Sequence, residues 1–229
     1  MTESKALGAV PNAIGDKVEV NKVFKIPPQE LKIFSVKYRK DVEIPIPHSH
    51  IETKPVSCRL MSANRRQGMV RANHLNLLDR FYRSLFNLRP KQKNSSKNSK
   101  PTSRNLLFHV HGGGWAAQTS KSHEIYLKQW AVTINAPILS IDYSLAPQAA
   151  FPRGLEEIYY AYCWALENFH SLGTTGERVV FAGDSAGSNL ISALIVKLIE
   201  EGIQLPHGIV NIYGIFNIDF MISPSAALT

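Results

Sequence analysis

A serine set among small residues, Gly183-Asp184-Ser185-Ala186-Gly187, is the part of this chain best equipped to attack a carbonyl carbon. It lies between a β-branched run, Arg178-Val179-Val180-Phe181, and an apolar-periodic segment from Leu190 to Ile199. That order predicts a strand, a sharp turn that presents Ser185, and a helix that begins at once. Gly183 and Gly187 give the backbone room to fold back, so that Ser185 Oγ projects from the sheet edge. The first helical amides point to where negative charge develops on an attacked carbonyl.

Alone, a serine between two glycines is common enough by chance to prove little. A second stretch strengthens it. His111-Gly112-Gly113-Gly114 directly follows another strand-like run, Leu106-Leu107-Phe108-His109-Val110. Consecutive glycines after a buried strand expose backbone N–H groups that no side chain shields. Read without its partner, the same loop is a flexible turn.

The elements that must hold these loops follow from the hydrophobic pattern. Strands are expected at Leu106–Val110, Pro137–Ile141, Arg178–Phe181 and Gly208–Tyr213, and helices at Ser122–Ile134, Leu155–Leu172 and Ala186–Glu201. Alternating β and α at this spacing means a mostly parallel sheet with helices on both faces and ligands at the carboxyl ends of its strands. Upstream, Leu31–Tyr38 and Val56–Leu60 read as two antiparallel edge strands, and residues 1–30 as a polar, proline-punctuated segment with little periodicity. Between Asn73 and Leu88 the apolar residues recur at helical spacing, predicting an amphipathic helix packed on the sheet. Residues 90–103 form a basic, low-complexity tract expected to be disordered.

Charge is unevenly spread. Residues 59–104 hold twelve Lys or Arg and one acid, Asp79, a local +11, whereas the rest of the chain carries −3. A solvated loop accounts for this, and contact with an anionic lipid surface is the functional alternative. No nucleic-acid motif accompanies the basic stretch, and no nucleic-acid partner is expected. No apolar run approaches the roughly 18 residues of a spanning helix, and Met1 to Leu7 has no apolar core of a secretory signal. Two cysteines, Cys58 and Cys163, make no disulfide framework, so a reduced, cytoplasmic chain is expected, with contact at lipid droplets as an extension.

Taken together, His111-Gly112-Gly113-Gly114-Trp115, Asp142-Tyr143-Ser144-Leu145-Ala146-Pro147 and Gly183-Asp184-Ser185-Ala186-Gly187 resemble, in order and spacing, the hormone-sensitive lipase family of α/β-hydrolases. Gln148 and Ser188 depart from the family pattern, where Glu and Gly are usual. The resemblance implies a serine carboxylic-ester hydrolase acting on acylglycerols, cholesteryl esters or related lipid esters, with no metal or organic cofactor. It implies Ser185 as nucleophile and the backbone N–H groups of Gly113, Gly114 and Ala186 as the oxyanion hole. His111, Gly112, Asp184 and Asp142 are then structural supports of the site, and residues 31–229 a partial α/β-hydrolase catalytic domain behind the 1–30 segment.

The serine also needs a histidine to take its proton and a carboxylate behind that histidine, in the chain order Ser, acid, His. Downstream of Ser185 the chain offers Glu200, Glu201, Asp219 and His207, and none suits its order or place. The expectation is a family member without its last strands and without the triad acid and histidine, inactive alone. A non-catalytic small-ligand binding or regulatory protein on the same fold is the competing reading.

Overall fold

The computed structural model describes residues 17–69 and 99–216. Among the described residues the larger sheet has six strands, in the order β1 (Val20–Ile26), β4 (Val56–Ser62), β6 (Ile138–Asp142), β5 (Ser103–Val110), β7 (Thr174–Asp184) and β8 (Gly208–Ile212). The last four run parallel, β4 lies antiparallel to β6, and β1 antiparallel to β4. A separate hairpin pairs β2 (Leu31–Ser35) with β3 (Lys40–Ile44). The helices among the described residues are α1 (Glu124–Thr133), α2 (Arg153–Glu167) and α3 (Ala186–Glu201), with a 3-10 turn at Phe169–Leu172.

Strand periodicity sorts the core into two layers. Phe108 and Val110 of β5 and Leu139 and Ile141 of β6 face the side where α2 and α3 pack. Their neighbours Leu107 and Ile138 face α1, through Leu127 and Ala131. The mostly parallel sheet covered on both faces is the architecture that the alternating pattern predicts. Its densest point is an aromatic trio: Phe108, Tyr162 and Phe181 have ring centroids 4.8–5.5 Å apart. Each such buried ring contributes about 2–3 kcal/mol.

Three expectations change. Val20–Ile26, inside the stretch read as irregular, is a strand: only its end residues Val20 and Ile26 are buried, so an edge position with a wet face hides its periodicity. The two upstream runs are not edge partners of each other. Leu31–Ser35 turns back on β3, while Val56–Ser62 is an interior strand between β1 and β6. The basic tract is ordered at its end, since Lys100 bridges to Arg66 and Ser103 opens β5. The helix expected over Asn73–Leu88, residues 90–98 and the segment after residue 216 lie outside the described residues.

Candidate active site

Strand register does the first positioning. Val110 pairs with Gly183 across β5 and β7, so the loops leaving the two strands start side by side. They touch through backbone: a Cβ on Gly187 would lie 2.1 Å from the Val110 carbonyl oxygen and 2.7 Å from that of His111. Only glycine permits that approach. On the other flank, Ser185 N–H donates to the Ile212 carbonyl (2.9 Å). Ser188 uses its hydroxyl to donate to the Gly183 carbonyl and to accept from Ile212 N–H (3.1 Å), fastening the turn to β8.

Ser185 itself has φ 50° and ψ −119°. A residue with a Cβ holds such a conformation only when its surroundings impose it, at roughly 1–3 kcal/mol. No side-chain capping bond ties its hydroxyl to α3, and it is the one half-exposed residue within 181–188. Ala186 opens α3, where a backbone N–H has no intrahelical acceptor. Across from it Gly113 takes φ 115°, and its carbonyl accepts from Ala116 and Ala117 (3.2 and 3.0 Å), which closes the glycine loop into a tight turn. Gly114 is exposed and borders a cavity of about 380 Å³, walled also by Trp115, Tyr143, Leu155, Asn189 and Leu190. Ser185 is not itself in that wall. Asn189, whose N–H donates to the Ser185 carbonyl at 3.2 Å, is.

Beneath both loops lies a buried polar cluster centred on Asp184. Its carboxylate accepts from Gly112 N–H (3.2 Å), His123 Nε2 (3.3 Å), Tyr126 OH (3.2 Å) and Tyr213 OH (3.3 Å). The proton positions follow from the partners. Since Tyr126 donates to Asp184, it accepts from His109 Nε2–H (3.0 Å), and His109 Nδ1 then accepts from Ser140 Oγ (2.8 Å). Burial holds the His109 pKa down at about 3, so the ring is neutral and, with its proton on Nε2, Nδ1 is the accepting nitrogen. Burial raises the Asp184 pKa, but the hydrogen bond and charge of His123 outweigh this and bring it down to about 2.

The remaining predicted supports have definite places. His111 is buried, donates Nδ1–H to the Gly112 carbonyl (2.7 Å) and stacks on Tyr143 at 4.3 Å; burial lowers its pKa. Asp142 accepts from Ser120 N–H (2.6 Å) and Oγ (3.0 Å), anchoring the far end of the glycine loop. His207 lies just before β8, bonded to Val179 midway along β7, and Glu200 and Glu201 end α3. None of these reaches Ser185; Asp219 lies outside the described residues. Among the described residues no group of His, Cys, Asp and Glu is arranged to hold a metal ion.

Sequence reasoning overlooked His109, Tyr126, Ser140 and Tyr213, and assigned no role to His123. A signal existed. His109 near the end of β5 and His111 just past it are two apart, while His123 and Tyr126 are three apart at a helix start.

The comparisons with known proteins agree with this geometry. A family model described as the alpha/beta hydrolase fold matches residues 107–227, and one described as the hormone-sensitive lipase N-terminus matches residues 1–70. Hormone-sensitive lipase of Mus musculus is 40% identical over 230 residues, and that of Bos taurus 41% over 239; each match covers all of this chain. The chain spans about 30% of the length of these curated relatives. Arylacetamide deacetylase of Mus musculus is 40% identical over 103 residues, 43% of this chain and 26% of that protein. Among solved structures, a thermostable carboxylesterase cloned from a metagenomic library covers 91% of this chain and 52% of its own, with TM-score 0.58 and 17% identity. An esterase of Pyrobaculum calidifontis covers 87% and 47%, with TM-score 0.54 and 19% identity, and both likenesses establish the fold. With a strained serine turn and a glycine loop set at the ends of adjacent parallel strands, the chain belongs to the alpha/beta hydrolase fold family and is hormone-sensitive-lipase-like within it.

Proposed function

We propose that this chain carries the nucleophile and the oxyanion-binding half of a serine carboxylic-ester hydrolase acting on lipid esters such as acylglycerols or cholesteryl esters. The observation that carries the reading is the positive φ of Ser185 on a turn pressed against the glycine loop. In the reaction Ser185 Oγ attacks the ester carbonyl, the N–H groups of Gly113, Gly114 and Ala186 stabilise the resulting oxyanion, and loss of the alcohol leaves an acyl-serine. One such donor is worth about 3–4 kcal/mol of transition-state stabilisation. The cavity wall beside Gly114 is mostly apolar and suits a hydrocarbon part of the substrate. The names of the relatives, lipases and carboxylesterases, support the same class.

Ser185 must pass its proton to a histidine, and the described residues bring none to it. The proposal therefore includes slow acylation and negligible turnover by residues 1–229 alone. Cytoplasmic residence belongs to it too: Cys58 and Cys163 are free, and burial pushes both thiols up, which suits a reducing compartment. Contact with a lipid-droplet or membrane surface is supported by the basic bias of residues 59–104.

A fluorophosphonate probe read by intact mass tests the nucleophile. Slow covalent labelling at Ser185, speeded by added imidazole as an external base and absent in Ser185→Ala, is expected; no labelling even with imidazole overturns the reading. Release of nitrophenol from a short-chain ester at ordinary esterase rates, lost in Ser185→Ala, overturns the incompleteness while keeping the nucleophile.

A further inference from the structure

His123 has a feature that the hydrolase reading leaves unused. Its Nδ1 lies 3.0 Å from the Thr119 carbonyl oxygen and its Nε2 lies 3.3 Å from Asp184 Oδ2. Both partners can only accept, so both ring nitrogens must carry a proton and the ring must be an imidazolium. The charge stands against a buried carboxylate that neighbours Ser185 in sequence and also takes the Gly112 N–H. Asp184 is thus the common point of the nucleophile turn and the glycine loop, and its fit is tight. A Cβ on Gly112 would come within 2.4 Å of Asp184 Oδ2.

We propose that His123, as an imidazolium, is a positioning residue: through Asp184 it holds the glycine loop and the Ser185 turn in one register, and deprotonation releases that hold. This rests on the reading of Ser185 and the glycine loop as the ester-activating site. Every charged or titratable group facing the ring bears on it. From β5 and the loop after it come neutral His109 and His111, with ring centroids 5.8 and 5.7 Å away; from α1 comes Tyr126 at 5.6 Å; Asp142 at the end of β6 and Asp184 supply negative charge. Burial alone depresses the ring's basicity, but the hydrogen bond to Asp184, the Thr119 carbonyl and the two carboxylates more than offset it, leaving the pKa above its ordinary value. The hold is fully present below about pH 6.5 and is lost as pH rises through a folded value above it.

The experiment uses the whole chain, labelled with nitrogen-15, from about pH 5 to about pH 9. Two readouts are expected to move together: the His123 ring nitrogens, both protonated at mildly acid pH, and the Gly112 amide resonance, which reports its bond to Asp184. In parallel, fluorophosphonate labelling of Ser185, with imidazole added as an external base, is timed in wild type and His123→Gln, which keeps one donor toward Asp184 but cannot carry charge. The ratio of wild-type to variant rates is expected to fall about fivefold or more across the His123 titration. A His123 still singly protonated at about pH 6 or below, a Gly112 amide indifferent to that titration, or a flat rate ratio overturns the proposal. If wild type never labels while the nuclear resonances behave as stated, the nucleophile reading fails and the positioning claim survives as a hold on the loops. Should His123→Gln not fold, the wild-type amide titration decides alone.

Discussion

Two buried ion pairs brace this site, and they are built from different chemistry. Arg153 and Glu157, four apart on α2, meet at 2.8 Å with side chains 0% and 1% exposed. Glu157 also accepts from Ser144 N–H and Oγ (2.6 and 2.7 Å), while Arg153 donates to the Ile51 carbonyl (3.1 Å). This pair fastens the loop after β6, and with it the cavity wall, to α2. The second pair, His123 and Asp184, fastens the glycine loop to the nucleophile turn. A guanidinium keeps its charge wherever the protein is folded, whereas an imidazolium does not. The cavity wall is held unconditionally and the reacting centre conditionally.

Breaking the permanent pair has the largest effect. Arg153→Ala leaves Glu157 buried without its counterion, and denaturant unfolding at neutral pH should show a loss of about 3–5 kcal/mol. The loss should hardly change between mildly acid and mildly alkaline buffer; a strong pH dependence would erase the contrast. Asp184→Asn comes next, at about 1–3 kcal/mol, because four donors lose a charged acceptor. Asp184 titrates at about 2 when folded, below its ordinary 3.8, so its stabilisation is complete above 3.8 and disappears as pH falls through about 2. The difference between wild type and Asp184→Asn should close toward strong acid.

The sharpest test of the conditional pair is its alkaline limb. A pKa raised above 6.5 contributes stability that is fully present below 6.5 and vanishes as pH rises through the folded value. Melting curves of wild type and His123→Gln should therefore differ most on the acid side of 6.5 and converge in alkaline buffer. Parallel curves at all pH would mean that His123 serves by shape alone. Smallest is Ser140→Ala, which removes only the donor to neutral His109 Nδ1. It should cost about 0.5–1.5 kcal/mol with no change in pH dependence, which separates the neutral arm of the cluster from the charged one.

The parallel half of the sheet could be read in advance because β5, β6 and the end of β7 are buried on both faces and α2 and α3 keep a helical period. The Ser185 turn and the glycine loop were readable for a related reason: tight backbone approach demands glycine, and glycine is visible in a sequence. What stayed hidden depends on long-range pairing. β1 has a wet face, so Val23 at 48% exposure sits in a strand that periodicity does not flag. The Asp184 cluster gathers side chains from residue 109 to residue 213, and no local pattern announces that they converge. Asp184 itself reads as a small structural residue of the turn; that it carries four hydrogen bonds is a property of the fold.

The β2–β3 hairpin, finally, bears on the order in which the chain can assemble. Ser35 Oγ donates to the Glu201 carbonyl, Val36 N–H to Gly202 and Lys37 Nζ to Glu200, so an early hairpin closes the carboxyl end of the helix whose other end presents the nucleophile. The first of these contacts spans 166 residues. Likewise β4 pairs with β6 across the interval between the two family-model matches. On a ribosome, the hairpin would wait for α3 before its contacts close, which is a recipe for late, slow consolidation. A cut between residues 70 and 107 would accordingly sever one cooperative unit rather than release two.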